Sequence, residues 1–476
     1  MKKTILSLLF LLPTLVPAQP QPPAQAKPLV FTHVTVIDAT GAPAKPDMTV
    51  VMTGDRITEL GKSGKVRVPK DAQVVDATGK FLIPGLWDMH VHTANDDFIT
   101  MFIANGITGV RDMFTPLDRI NGWRAAIKEG KLLGPRIVAA GPIVDGPKPV
   151  WPGSIAVSNA DEGRQAVTKV KADGSDFVKV YNLLPRDAFF AIAGEAKKQG
   201  IPFAGHVPER VSAAEASDAG QKSNEHLTGV LLACSRDEEA IRAEMDKIIT
   251  AAGSSPASRV ARSAANLKAL QSYDSEKAAV LFARFKKNGT WQSPTLTVLR
   301  AVAHLDDPSF TNYPRLKYMR APMRNFWNPQ NDFRFKDRTA EDWANSRKVY
   351  AKYLELTGAM RKAGIEFIAG TDTPNPYCFP GFSLHDELAL LIKTGFTPME
   401  ALQAATRNPA KYLGLLDSLG TVEKGKIANL VLLDANPLAE ISNTQKINAV
   451  IVGGKLVTKA EIEAMLAKVE AAANRK

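Results

Sequence analysis

Pro84-Gly-Leu-Trp-Asp-Met-His-Val-His92 divides this sequence into two rhythms. From Gly85 onward, short apolar runs alternate with helical patterns. The runs occupy residues 86–92, 107–112, 136–141, 177–181, 202–206, 222–227, 291–296 and 367–372. Amphipathic stretches such as 161–172, 186–199 and 211–219 lie between them. Eight strand–helix units predict an α/β fold, a (β/α)8 TIM barrel over residues 85–416, rather than an open sheet.

On both sides of the barrel the pattern is β. Residues 29–38, 48–52, 56–60, 74–75 and 80–83 read as short strands, with Gly54 and Gly61 among their turn residues. Strand character returns at 420–434 and 450–457. Segments 29–84 and 417–458 therefore predict one small β-sandwich domain built from both ends of the chain. Thr397 and Pro398 have the residue types of a helix N-cap and first turn. Residues 459–476 read as a terminal amphipathic helix.

Two connections are long. Residues 236–288 are strongly helical. Residues 300–350 are rich in aromatic and basic side chains, including Phe326, Trp327, Phe333, Phe335 and Trp343. This second stretch is read either as a lid insertion over the catalytic face or as a helical insertion with its own small core.

Lys2 and Lys3 precede an apolar run, 4–17, and small residues at Val16-Pro17-Ala18. That pattern predicts a secretory signal peptide, 1–18, hence a secreted or periplasmic protein. The run falls short of the ~20 residues a bilayer span needs. A Pro/Gln-rich linker, 19–28, follows it, and no other segment reads as a stable membrane span. Two cysteines, Cys234 and Cys378, exclude a disulfide-built scaffold. A bridge between them and two free buried thiols both stay open.

The formal charge is +11, of which Lys2 and Lys3 supply two. Basic residues are interleaved with Asp and Glu, as in 169–179 and 236–247, which reads as a solvated surface rather than a nucleic-acid site. Homo-oligomerisation stays open.

The chemistry gathers at strand ends. In Asp88-Met89-His90-Val91-His92 the two imidazoles stand at i and i+2, so a strand projects both to one side. Convergent neutral imidazoles are good ligands for zinc or a similar cation. Lys179 lies in the apolar run Phe177-Val-Lys-Val-Tyr181. A desolvated lysine loses its proton more easily, and a neutral amine can take up CO2 to form a carbamate ligand; a lone lysine at a strand end more commonly pairs with a carboxylate. His206 closes one run beside Gly205, His226 closes another, and Asp372 closes the last before Thr373-Pro374. Each alone has an ordinary reading, a hydrogen-bonded core histidine or a turn aspartate. Together, four of the seven histidines, one lysine and one aspartate end predicted strands on one face. His33, His304 and His385 lie elsewhere.

These residues give the chain a resemblance to the amidohydrolase superfamily, near its imidazolonepropionase-like and prolidase-like branch. It rests on Pro84-Gly-Leu-Trp-Asp-Met-His-Val-His92, Lys179, His206, His226, Gly370-Thr-Asp372 and the tail Gly420-Thr-Val-Glu-Lys-Gly-Lys-Ile-Ala-Asn-Leu-Val431, and it covers about residues 29–458. The resemblance implies two divalent metal ions, zinc by preference. His90, His92 and Asp372 would hold one and His206 and His226 the other. Lys179, carboxylated by CO2, and a hydroxide would bridge them. The bridging hydroxide would attack a C–N bond of the amide or peptide type, with Asp372 as the proton-shuttling catalytic residue. Tyr181, two residues beyond Lys179, falls on the same side and is read either as a donor to substrate or as packing.

Other readings stay open. His206-Val-Pro-Glu209 resembles one-metal deaminases, which act on cyclic amidines, with Glu209 as the acid/base. Lactones, esters or phosphotriesters suit the same hydroxide. A non-catalytic binding protein needs no proton-shuttling aspartate. Arg315, Lys317, Arg320, Arg324 and Arg334 in the aromatic stretch point to a carboxylate-bearing small molecule, such as a dipeptide or N-acyl amino acid, with Arg320 and Arg324 as substrate contacts.

Overall fold

The computed structural model describes residues 27–475. The expected signal peptide, 1–18, and most of the linker lie outside the described residues.

Strands from both ends of the chain form one mixed sheet of eight strands. Its order is Lys455–Thr458, Ile447–Val452, Leu430–Leu433, Phe81–Pro84, Leu29–Val36, Lys45–Thr53, Arg56–Lys62. Gln73–Asp76 pairs in parallel with the first half of Leu29–Val36, and Phe81–Pro84 with its second half. The late strand Leu430–Leu433 lies antiparallel to Phe81–Pro84, with Val431 opposite Ile83. The short strands expected at both ends of the chain are thus joined by hydrogen bonds into one continuous sheet. Leu29–Val36 serves two neighbours on one edge, so the ladder never breaks. Phe31, Val50, Ile57, Leu82, Leu430 and Ile451 pack its core.

The remaining strands are parallel. Leu86–Val91, Ile107–Asp112 and Arg136–Ala139 form one sheet. Ile155–Ala156, Ile143–Asp145, Val178–Val180, Phe203–Gly205, Ser223–Glu225 and Trp291–Ser293 form another. All six side chains of Leu86–Val91 are buried, as expected of a strand covered on both faces. Helices pack between successive strands with their apolar positions inward. Ala160–Ala172, capped by Asn159, buries Gly163, Ala166, Val167 and Val170, a spacing that keeps one helical face on the core.

Hydrogen bonds link the two parallel sheets. Asp176 N donates to Ala139 O at 2.9 Å. On the other side, Ile368 N donates to Gln292 O at 3.0 Å and Met89 N to Ala369 O at 2.8 Å. The eighth expected strand, 367–372, makes only isolated bridges, Phe367 with Gln292 and Thr373 with Val91. Asp372 has φ 61°, which takes it out of the β region and ends any ladder there. Ser223–Glu225 likewise stops short of 227, because His226 and Leu227 sit at φ 58° and 54°.

The aromatic stretch forms helices Leu296–His304, Ala321–Trp327 and the start of Ala340–Lys362. Leu305, Phe335 and Trp343 make a small core of its own. Pro322, Met323, Phe326 and Arg334 also line the main cavity. The stretch thus has a small core of its own and also supplies part of the cavity wall. Cys234 and Cys378 are both free and buried. Among the described residues no helix is long and apolar enough to cross a membrane.

Candidate functional site

Above the C-terminal ends of the parallel strands lies a cavity of about 480 Å3. His90, His92, Lys179, Tyr181, His206, His226 and Asp372 all line it, with Phe114, Trp151 and Phe326 among its apolar walls. The backbone delivers these side chains by leaving regular strand geometry where needed. His226 and Asp372 sit in the left-handed region, a conformation costing roughly 1–3 kcal/mol that surrounding structure must hold. Gly205, at φ +137°, makes room for Lys179: a Cβ there would lie 2.2 Å from Val180 O and 3.1 Å from Lys179 Cδ.

Asp372 is the focus. Its Oδ1 lies 2.9 Å from His92 Nε2 and 3.4 Å from His90 Nε2, and its Oδ2 lies 3.8 Å from His226 Nε2. One donor atom from each of His90, His92 and Asp372 falls within 4.8 Å of the others. The rings of His90 and His226 are 4.5 Å apart at their centroids, and those of His206 and His226 4.8 Å.

Three of the imidazoles are oriented from behind through Nδ1. His90 Nδ1 meets Glu225 Oε2 at 2.9 Å. His206 Nδ1 meets Asn182 Oδ1. His226 Nδ1 meets Thr295 Oγ1 at 2.6 Å, and that hydroxyl donates onward to Pro294 O. Each acceptor holds the proton on Nδ1 and leaves the Nε2 lone pair free, the arrangement that commonly supports a metal-ligating histidine. Glu225 is itself held by Arg111, whose Nη2 donates to Oε1 at 2.8 Å. Arg111 Nε also donates to Met89 O, and its Nη1 to Ser223 and Tyr412. Neither Arg111 nor Glu225 is exposed.

The electrostatics favour neutral nitrogen donors. Burial, then the Lys179 charge, holds His90 and His206 well below the ordinary histidine range, and burial takes His226 to about 4. Burial brings Lys179 down to about 8, against the opposing pull of Glu225 and Asp372. Burial opposes the charge on Asp372, but His226 and His92 outweigh it and keep the carboxyl below its usual value. Tyr181, pushed up to about 12 by burial, keeps its proton.

A divalent cation fits this donor set. His90 Nε2 is buried without a hydrogen-bond partner, and such an orphaned atom is costly unless something outside the chain binds it. Neutral imidazoles and an ionised carboxylate are ordinary zinc ligands.

Two expected substrate contacts fall elsewhere. Arg320 pairs with Asp97 at 2.6 Å on a separate surface hollow, and Arg324 is exposed. The helix Ala321–Trp327 turns its apolar residues Met323 and Phe326 to the cavity, which leaves the arginines outside. Arg334 is the one basic residue of the expected set that reaches the cavity. Glu209, the alternative acid/base, does not line the cavity. It accepts from Asn182 Nδ2 at 3.0 Å and from Arg262. Sequence reasoning missed Arg111, Glu225, Asn182 and Thr295. A signal existed for Arg111: a charge inside a largely apolar strand must find a partner.

The amidohydrolase family model matches residues 81–457 of this chain. Imidazolonepropionase from Agrobacterium fabrum is 40% identical over 95 residues, which are 19% of this chain and 22% of that protein. The match thus spans about a fifth of that relative's length. Among solved structures, bottromycin amidohydrolase superposes with a TM-score of 0.74 at 22% identity, over 95% of this chain and 92% of that one. A Xaa-Pro dipeptidase with bound methionine superposes with a TM-score of 0.66 at 20% identity, over 91% of this chain and 100% of that one. The two structures share the fold.

Proposed function

This chain belongs to the amidohydrolase family, and on that premise we propose that it is a metal-dependent hydrolase that cleaves a C–N bond of the amide or peptide type. The observation that carries the reading is the convergence of His90, His92, Lys179, His206, His226 and Asp372 on one cavity. The amide-cleaving names of the two structural neighbours are consistent with it. In this reading the parallel strands close as a (β/α)8 barrel, supported by the hydrogen bonds across both gaps between the sheets.

His90, His92 and Asp372 would hold one divalent ion, zinc by preference, and His206 and His226 a second. Lys179, as a carbamate formed with CO2, would lie between them; its burial and lowered proton affinity favour that chemistry. When bound, the ions supply an acidified water and an electrophilic pull on the scissile carbonyl.

The chain's own residues do the rest. Asp372 Oδ2 takes a proton and returns it to the leaving nitrogen. Tyr181 OH accepts from Trp151 Nε1 at 2.9 Å, so its own proton is free to bind a substrate oxygen. Glu225, Asn182 and Thr295 keep the imidazoles aimed. Phe114, Trp151 and Phe326 give the cavity apolar walls.

The one-metal reading needs Glu209 free to shuttle protons, and its contacts with Arg262 and Asn182 weigh against it. Export by the 1–18 signal peptide belongs to the same proposal, supported by Lys2, Lys3 and the apolar run behind them. The test is metal content of protein purified without chelator and with bicarbonate, alongside turnover of a dipeptide and N-acyl amino acid panel. About two ions per chain with amide cleavage supports the proposal. One ion with turnover of cyclic amidines alone overturns it.

A further inference from the structure

The main cavity does not end at the candidate metal ligands. A second chamber of about 250 Å3 shares Trp151, Tyr181, His206, His226, Arg334 and Asp372 with it. This chamber runs back to the start of the helix Pro256–Gln271, where Ser254, Ser255, Ser258, Arg259 and Arg262 line it. Its chemistry there is cationic and donor-rich, and among the described residues its only lining carboxylate is Asp372, at the end shared with the candidate metal ligands.

The three arginines differ in how their charge is met. Arg334 is paired with Asp332 at 2.6 Å, and Arg262 with Glu209. Arg259 touches only backbone carbonyls, Ser254 O at 3.3 Å and Phe333 O at 3.1 Å, while its guanidinium lies 5.3 Å from the centre of the Phe333 ring. One face of its charge is thus supported by an aromatic ring, and among the described residues no carboxylate neutralises it. Beside it, Ser258 is 2% exposed, and its Oγ has no hydrogen-bond partner. A buried hydroxyl left unpaired costs free energy that a ligand can recover. Both residues stand in the first turn of the helix Pro256–Gln271, whose cap Ser255 accepts from Ser258 N.

We propose that Arg259 and Ser258 form a carboxylate subsite, so that the enzyme prefers substrates with an anionic arm remote from the scissile bond. The inference rests on the hydrolase reading above for the position of that bond. Binding at the subsite itself does not depend on turnover. An aromatic or apolar body would lie in the main cavity against Phe114, Trp151 and Phe326, and the arm would pass Arg334 into the second chamber. The residues expected from sequence to read such an anion, Arg320 and Arg324, give way here to Arg259.

Two probes of matched shape test this: 4-phenylbutyrate and its neutral amide, titrated calorimetrically into the full-length protein before and after metal removal. Wild type should bind the acid about tenfold more tightly than the amide, the discrimination expected of one charge-assisted contact, and should keep that preference without metal. Arg259→Met should abolish the preference with unchanged metal content, Arg259→Lys should keep part of it, and Ser258→Ala should weaken the acid alone. A preference that vanishes on metal removal and survives in Arg259→Met overturns the subsite, since the metals would then be reading the acid. If the preference depends on Arg259 but no amide is cleaved, the subsite stands and the hydrolase reading fails.

Discussion

Glu225→Gln separates orientation of a candidate ligand from ligation itself. Glu225 touches no part of the cavity. Its Oε2 takes the His90 proton at 2.9 Å, and its Oε1 takes Arg111 Nη2 at 2.8 Å and Ser223 Oγ at 2.6 Å. Glutamine keeps the volume and one acceptor but turns the other oxygen into a donor. Whichever way the amide faces, either His90 Nδ1 or Arg111 loses its acceptor. Arg111 also keeps a full charge in a site with no solvent access. Removing one partner of such a pair costs about 3–5 kcal/mol, and the surviving hydrogen bond places this variant at the lower end. For His90, the loss of the acceptor frees the ring to flip and lowers its basicity, an effect of about 10–100-fold on metal affinity or rate. Two measurements check the two halves: the denaturation midpoint of metal-free protein, and zinc affinity against a competing chelator. A variant with wild-type midpoint and zinc affinity within twofold would refute the claim that Glu225 positions His90.

Lys179→Ala should lose metal and activity together, read by elemental analysis and turnover, while the metal-free protein stays folded; full activity would remove the carbamate from the proposal. Gly205→Ala places a Cβ 2.2 Å from Val180 O at a φ of +137°, so it should destabilise by more than about 2 kcal/mol, seen as a lowered melting temperature. At the helix Ala213–Asp218, Glu215 closes a capping box with Ser212 and pairs with Arg186, whose hydrogen bond does most to bring it to about 2. Its folded proton affinity lies below the unfolded one, so its stabilisation is complete above pH ~4.5 and fades as pH falls towards 2. Glu215→Gln should therefore cost about 1 kcal/mol or less at pH 7, since the pair is partly solvated, and the gap from wild type should close between pH 5 and pH 2.

Local pattern carried much of this protein. The run Leu86-Trp-Asp-Met-His-Val91 reads as a buried strand from its own residues, and His90 and His92 share a side because strand geometry alternates. Thr397 and Pro398 mark a helix start because capping and fixed φ are local effects. Six candidate ligands at predicted strand ends were legible for the same reason: parallel strands with helical crossovers bring their C-terminal ends to one face. Charge partners were not legible. Arg111 and Glu225 are 114 residues apart, and Glu225 reaches His90 across 135. No local rule says which buried charge meets which.

The amino-acid sequence by itself determined the alternation of strand and helix, the return of β structure at the C-terminal end, and the residues that converge above the parallel strands. Those follow from side-chain periodicity and backbone preference, which act over a few residues. Only the tertiary structure decided that the β segments make one sheet, that Arg320 and Arg324 face away while Arg334 and Arg259 face in, and that Glu209 is occupied by Arg262. Each of those depends on how separate elements pack, and packing assigns a charged side chain to a partner, to solvent or to a cavity through contacts distant in sequence.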